Sequence, residues 1–215
     1  MEALGVNIYI EPEKSLKILK EINLCFLFAQ NYHLAIKFVA GVRKELSIRT
    51  IFNILGPLTN PAGATMRVYD ESLVKPLCEV LKNVGVKSAL SVYGQDGLDE
   101  ISVSDKTSVC ELRDGRLKCY EIAPEDFGME RCSKEDLVGG NPRENAEITL
   151  SILNGQKGPK RNAVVLNSAA ALYVAGKADS IEDGVRLASE IIDSGRAKKQ
   201  FEKFIEYTNS WFHVR

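Results

Sequence analysis

The chain has 215 residues, enough for one sizeable domain with a small appendage. Its 45% hydrophobic and 27% charged content are ordinary globular values and exclude an intrinsically disordered chain. A formal net charge of −1 leaves no footprint for nucleic acid or an anionic membrane, so a small molecule or another protein is the expected partner.

The first eight residues read as a helix end, a glycine stop at Gly5 and an extended segment. Leu16, Ile18, Leu19 and Ile22 have helical spacing over 15–22. The apolar run 24–29 predicts a strand buried on both faces. Helical period returns over 34–46, and a second short helix over 50–55 is halted by Gly56 and Pro57. Residues 65–69 read as a strand, 72–84 as an amphipathic helix closed by Gly85, and 88–93 as the next buried strand. That alternation predicts an α/β fold with a mostly parallel central sheet and surrounding helices. Asp114 and Gly115, between alternating runs at 109–112 and 117–122, predict an antiparallel hairpin at one edge. From Asn141 onward the pattern is helical. Asn141 and Pro142 supply an N-cap and a first-turn proline, 163–175 is apolar almost all round, and Ser180 and Asp183 open a further helix. A last amphipathic helix runs to about residue 207.

Five scattered cysteines form no CxxC pair, and His33 and His213 are the only histidines, so no zinc-type cluster can be assembled. Such a set suits a reducing cytoplasm, with the thiols packing as small core hydrophobes. No apolar run approaches the roughly 18 residues of a membrane span, and nothing at the start reads as a signal peptide.

Two stretches carry candidate chemistry. In 43–61, Arg43 shares a helix face with Val39 and Leu46, where a guanidinium fork needs an anion and best fits a planar carboxylate. Asn53, in an apolar helix stretch, likewise needs partners. A plain surface connection between helix and strand accounts for the same residues. In 96–102, directly after the 88–93 strand, Asp99 and Glu100 are adjacent hard oxygen donors suited to Mg2+ bridging to phosphates. A solvated acidic loop is the competing account. His33, beside Tyr32, and the pair Gly139 and Gly140 are weaker signals, each explained by a helix start or a turn.

Taken together, these stretches resemble one family. RTIFNILGPLTNPA at 49–62 is similar to the signature run of anthranilate phosphoribosyltransferases. DGLDEIS at 96–102 resembles their metal-binding loop, and GGNPRENAE at 139–147 and GPKRNAVVLNSAAAL at 158–172 follow in the same order. The resemblance implies transfer of the phosphoribosyl group from 5-phosphoribosyl pyrophosphate to anthranilate in tryptophan biosynthesis, with release of pyrophosphate. By position, it implies that Arg43 binds the anthranilate carboxylate and that His33, Gly56 and Pro57 line the tunnel admitting it. It implies that Asp99 and Glu100 hold Mg2+ and act in catalysis through that metal.

The implied architecture is a nucleoside phosphorylase/phosphoribosyltransferase-type fold. Residues 1–33 would start the α/β domain, 34–58 would give two helices of a small α-helical domain, and 59–215 would complete the α/β domain. The family's phosphate-cradling segments lie upstream of the stretch at 2–5, so the chain is expected to lack them. The implied partner is a second copy in a homodimer or a complementary N-terminal chain. Two other readings are a fragment acting only in binding or assembly and a related nucleoside phosphorylase.

Overall fold

A computed structural model describes residues 1–32 and 65–210. In chain order the described elements are α1 (Pro12–Ile22), α2 (Ala29–Tyr32), β1 (Thr65–Arg67), α3 (Val74–Asn83), β2 (Ser88–Gly94), β3 (Thr107–Arg113), β4 (Arg116–Ile122), α4 (Pro142–Leu153), α5 (Pro159–Val174), α6 (Ile181–Asp193) and α7 (Arg196–Ser210). The chain divides into two compact units. One comprises Met1–Arg49, Gly139–Gly155 and Ile192–Arg215, the other Thr50–Val138 and Gln156–Ile191. The helices expected over 34–46 and 50–55, and the domain boundaries expected at 33/34 and 58/59, lie outside the described residues.

In the first unit, Val6, Ile8 and Ile10 alternate inward against Ile18 and Ile22 of α1 and Phe204 of α7. Proline in the first turn starts α1, and Asn23, in the left-handed region at φ 57°, ends it. Side chains replace ladder bonds along the extended segment. The Asn7 N–H donates to Thr208 Oγ1 at 3.3 Å, and Asn209 Nδ2 donates to the Gly5 carbonyl at 2.8 Å. The strand expected over 24–29 is not formed: residues 24–28 have no regular structure, and α2 begins at Ala29. Alternation survives without a ladder. Leu24, Phe26 and Phe28 pack on the core while Leu27 stays 59% exposed, and Tyr9 meets Phe28 edge-on with ring centroids 5.6 Å apart. A short apolar run therefore fixes which side chains turn inward, while strand formation also needs a hydrogen-bonding neighbour.

The second unit is built on a sheet of order β1-β2-β3-β4. Only β1 and β2 pair in parallel; β2 with β3 and β3 with β4 are antiparallel. The expectation of a mostly parallel sheet is thus corrected for the described residues. The chain leaving β2 turns straight back: the Gln95 N–H donates to the Lys106 carbonyl at 2.8 Å, so no crossover returns β3 in parallel. The β3–β4 hairpin is as expected, with Asp114 and Gly115 both at positive φ, 49° and 75°.

Alternation on β2 buries both faces. Leu90 and Val92 pack with Val109 against Leu166, Ala169 and Ala170 of α5 and Ile181 of α6. On the other face Ala89, Cys110 and Leu112 meet Val74, Leu77, Cys78 and Leu81 of α3. Helices therefore cover both faces of the sheet, the arrangement of an α/β unit. One carboxylate interrupts the α5 face. Glu111 accepts from Tyr120 Oη at 3.0 Å and Tyr173 Oη at 2.5 Å, which offsets the loss of water around it. Cys78 and Cys110 pack as buried hydrophobes, as expected, but Cys119 is exposed on β4.

The approach of α5 to α6 fixes one glycine. A Cβ on Gly184 would lie 2.6 Å from the Ala169 carbonyl oxygen and 2.9 Å from its Cα, both backbone atoms that cannot swing aside. Gly184→Ala is expected to destabilise this unit by about 1–3 kcal/mol through overpacking. A urea midpoint equal to that of the parent would contradict the close helix contact.

Candidate functional site

The site is built on the connection of residues 95–106, which leaves β2 and returns as β3. Its first turn is tight because the Gly94 N–H donates to the Leu98 carbonyl and the Gly97 N–H to the Gly94 carbonyl, both at 2.9 Å. Gly94 must be glycine for packing reasons: an added Cβ would sit 2.6 Å from Asp96 Oδ1 and 3.2 Å from the Glu100 carbonyl oxygen.

Asp96 ties the loop to itself. Its Oδ1 accepts from the Leu98 N–H at 3.1 Å, and its Oδ2 accepts from Ser102 Oγ at 2.6 Å and from Ser104 Oγ. Lys134 Nζ donates to the Asp96 carbonyl at 2.6 Å. Burial pushes the Asp96 carboxyl up, but the two serine hydroxyls, the Leu98 N–H and the Lys134 charge outweigh it and hold the group below the usual aspartate value. Ser102 Oγ in turn accepts from the Ser104 and Asp105 N–H groups at 2.9 and 3.0 Å.

The returning end is buried. Ile101, Ser102 and Val103 are each 1–2% exposed, and residues 101 and 102 carry no regular structure. Their backbone finds side-chain partners: the Ile101 N–H donates to Asn167 Oδ1 at 3.1 Å, Asn167 Nδ2 donates back to the Ile101 carbonyl at 2.9 Å, and the Ser102 N–H donates to Thr107 Oγ1 at 2.9 Å.

Between these two fixed ends lie Asp99, exposed, and Glu100, half-buried. The structure thus brings both candidate carboxylates to the tip of one loop, beyond the carboxyl end of β2. Two adjacent carboxylates are hard oxygen donors, and among the described residues no group of three or more His, Cys, Asp and Glu converges on a metal position. That donor set fits Mg2+, which retains water and takes one or two carboxylates together with ligand phosphates. It does not fit a cage made by protein alone. His33, Arg43, Gly56 and Pro57 lie outside the described residues, as does Asn53.

Two residues near the site escaped sequence reasoning. Asp96 is given no role of its own there, although Asp followed by Gly is the signal of a side chain bonding its own backbone two residues on. Asn167 stands, with Ser168, in a largely apolar helix run, the same signal of a hidden partner that singled out Asn53. Gly139 and Gly140 form a turn held by Asn145, whose Oδ1 accepts from the Gly140 N–H at 2.9 Å and whose Nδ2 donates to the Gly140 carbonyl at 2.8 Å.

The profile of the glycosyl transferase family, a/b domain, matches residues 1–198. The chain belongs to that family. It is 97% identical over 213 residues to an anthranilate phosphoribosyltransferase of Methanobrevibacter smithii, covering 98% of this chain and 64% of that protein. Among solved structures it is similar to the anthranilate phosphoribosyltransferase of Thermus thermophilus, with a TM-score of 0.87, 40% identity, and coverage of 96% of this chain and 62% of that one. It is also similar to the Saccharomyces cerevisiae enzyme in complex with PRPP and Mg, with a TM-score of 0.88, 28% identity, and coverage of 97% and 61%. The resemblance read from the four motifs is borne out, and the chain spans somewhat less than two thirds of the length of these relatives. Among the described residues, no helix is long and apolar enough to cross a membrane.

The Asp96 network has a signed pH dependence. Because its folded pKa is depressed, its stabilisation is present in full above the unfolded value near 3.9 and is lost as pH falls through the lower folded value. Asp96→Asn is therefore expected to lower the urea midpoint at pH 7, with the gap to the parent closing below about pH 4. A gap unchanged down to pH 3 would contradict the charge-assisted role.

Proposed function

We propose that this chain carries the acceptor and metal side of an anthranilate phosphoribosyltransferase. The observation that carries this reading is the 97% identity over 213 residues to the Methanobrevibacter smithii enzyme of that name. The pair Asp99 and Glu100, on a braced loop beyond β2, supports it independently.

In the reaction the anthranilate amine attacks the anomeric carbon of 5-phosphoribosyl pyrophosphate. An N–C bond forms, the C–O bond to pyrophosphate breaks with its electron pair, and the nitrogen loses a proton. Arg43 pairs its planar guanidinium with the anthranilate carboxylate, which aims the amine, while His33, Gly56 and Pro57 line the approach. Asp99 and Glu100 hold Mg2+, which when bound neutralises charge developing on the departing pyrophosphate. The loop's contribution is to present both carboxylates from a fixed backbone, so that positioning is complete before substrate arrives. On this reading the protein is a cytoplasmic enzyme working as a homodimer.

A chimera in which this chain replaces the corresponding stretch of the Methanobrevibacter smithii relative provides the test. It is expected to consume anthranilate, followed by loss of its fluorescence, with 5-phosphoribosyl pyrophosphate and Mg2+. Asp99→Asn with Glu100→Gln should lower turnover by at least about 100-fold. Arg43→Ala should raise KM for anthranilate more than for 5-phosphoribosyl pyrophosphate. An inactive chimera that is folded would sink the functional reading, and equal KM losses would sink the assignment of Arg43.

A further inference from the structure

We infer that Asn167, in the middle of α5, is a positioning residue for the cation site, acting through the main chain next to Glu100. The inference rests on the reading of Asp99 and Glu100 as metal carboxylates. Its basis is the buried peptide at Ile101. The Ile101 side chain is in the core, so its backbone cannot reach water, and it belongs to no strand that would satisfy it.

One side chain supplies both partners. Asn167 Oδ1 accepts from the Ile101 N–H at 3.1 Å and Nδ2 donates to the Ile101 carbonyl at 2.9 Å, as a neighbouring strand would. The second Nδ2 hydrogen goes to the Ala163 carbonyl of the same helix at 3.0 Å. These three partners also decide the orientation of the amide: one is a donor and two are acceptors, so a flipped amide would face like against like. The helix in turn is fixed to the sheet by Leu166 and Ala169 on either side of Asn167 along the chain, each 0% exposed.

Glu100 is the residue immediately before this clamp. The Ile101 nitrogen belongs to the peptide that links the two residues, so the amide plane leaving Glu100 is set by a side chain of α5. Ser102, the next residue, is held through its own N–H by Thr107. Without Asn167 the buried Ile101 groups would seek other partners, and the direction of the Glu100 side chain would shift with them. Groups that orient a metal ligand from behind typically contribute 10–100-fold to metal affinity.

Binding of Mn2+, with inorganic pyrophosphate present, can be followed on the 215-residue chain by electron paramagnetic resonance, which needs no turnover. Asn167→Ala is expected to weaken it by about 10–100-fold relative to the parent. Gly184→Ala, which loosens α5 against α6 without touching the loop, should lose stability yet retain parental affinity. Parental affinity in folded Asn167→Ala would overturn the inference while leaving the metal reading intact, as would an equal loss in Gly184→Ala. If the parent and the Asp99→Asn, Glu100→Gln double variant behave alike, the metal reading falls and this inference with it. Should Asn167→Ala not fold, Asn167→Ser, too short to hold both Ile101 groups, is judged by the same criteria.

Discussion

Buried backbone that belongs to no ladder is the constraint on which the second unit turns. Between β2 and β3 the chain passes through the core at Ile101, Ser102 and Val103, all but fully buried. Each N–H and carbonyl there would cost on the order of 1–3 kcal/mol if left without a partner. The partners come from three directions: Asn167 from a helix takes both Ile101 groups, Thr107 from the start of β3 accepts from the Ser102 N–H, and the Cys132 N–H donates to the Val103 carbonyl. The returning end of the loop is therefore hydrogen-bonded into the core although residues 101 and 102 belong to no strand.

That rigidity requires a sheet covered on both faces. Val92 and Val109 face α5 while Ala89 and Leu112 face α3, so β2 and β3 are held from above and below before the loop begins. Gly184 lets α6 press on α5 at the level of Ala169, two residues beyond Asn167. Packing that has no chemistry of its own thus holds α5 and the strands in place, while the loop itself is held by its own hydrogen bonds to Asn167 and Thr107. The surface ion pairs of Arg131 with Asp105 and Glu125 add little beside this, because exposed pairs contribute at most about 1 kcal/mol each.

Much of this fold could be read from spacing alone. The hairpin was legible because Asp114 and Gly115 take the positive φ that its turn requires, a property of the residues themselves. The helices α4 and α6 announced themselves by Asn141 and Ser180, whose side chains accept from the backbone of their first turns. Strand direction was less legible, because the periodicity of β2 and β3 is the same for either pairing; the sense was set by the Gln95–Lys106 contact, which no periodicity encodes. The run at 24–29 misled for a related reason: apolar alternation reports which side is buried, and says nothing of whether a hydrogen-bonding neighbour exists. At the site, the carboxylates Asp99 and Glu100 were visible as chemistry. Their supports were not, since Asn167 lies 66 positions away from its partner.

The acids of this one loop are divided by their surroundings. Asp96 points into a cluster of hydroxyl and N–H donors that favours its ionised form and uses up its lone pairs within the protein. Its charge is consumed in structure, and it has little left to offer a cation. Asp99 stands exposed and Glu100 half-buried at the tip. A carboxylate bound by three internal donors cannot move to follow a ligand, whereas Glu100 lies on a backbone whose next peptide is clamped. Fixing the backbone through Asp96 and Asn167 while keeping Asp99 and Glu100 at the tip makes one short loop a structural joint that, on the proposed reading, also presents the metal carboxylates.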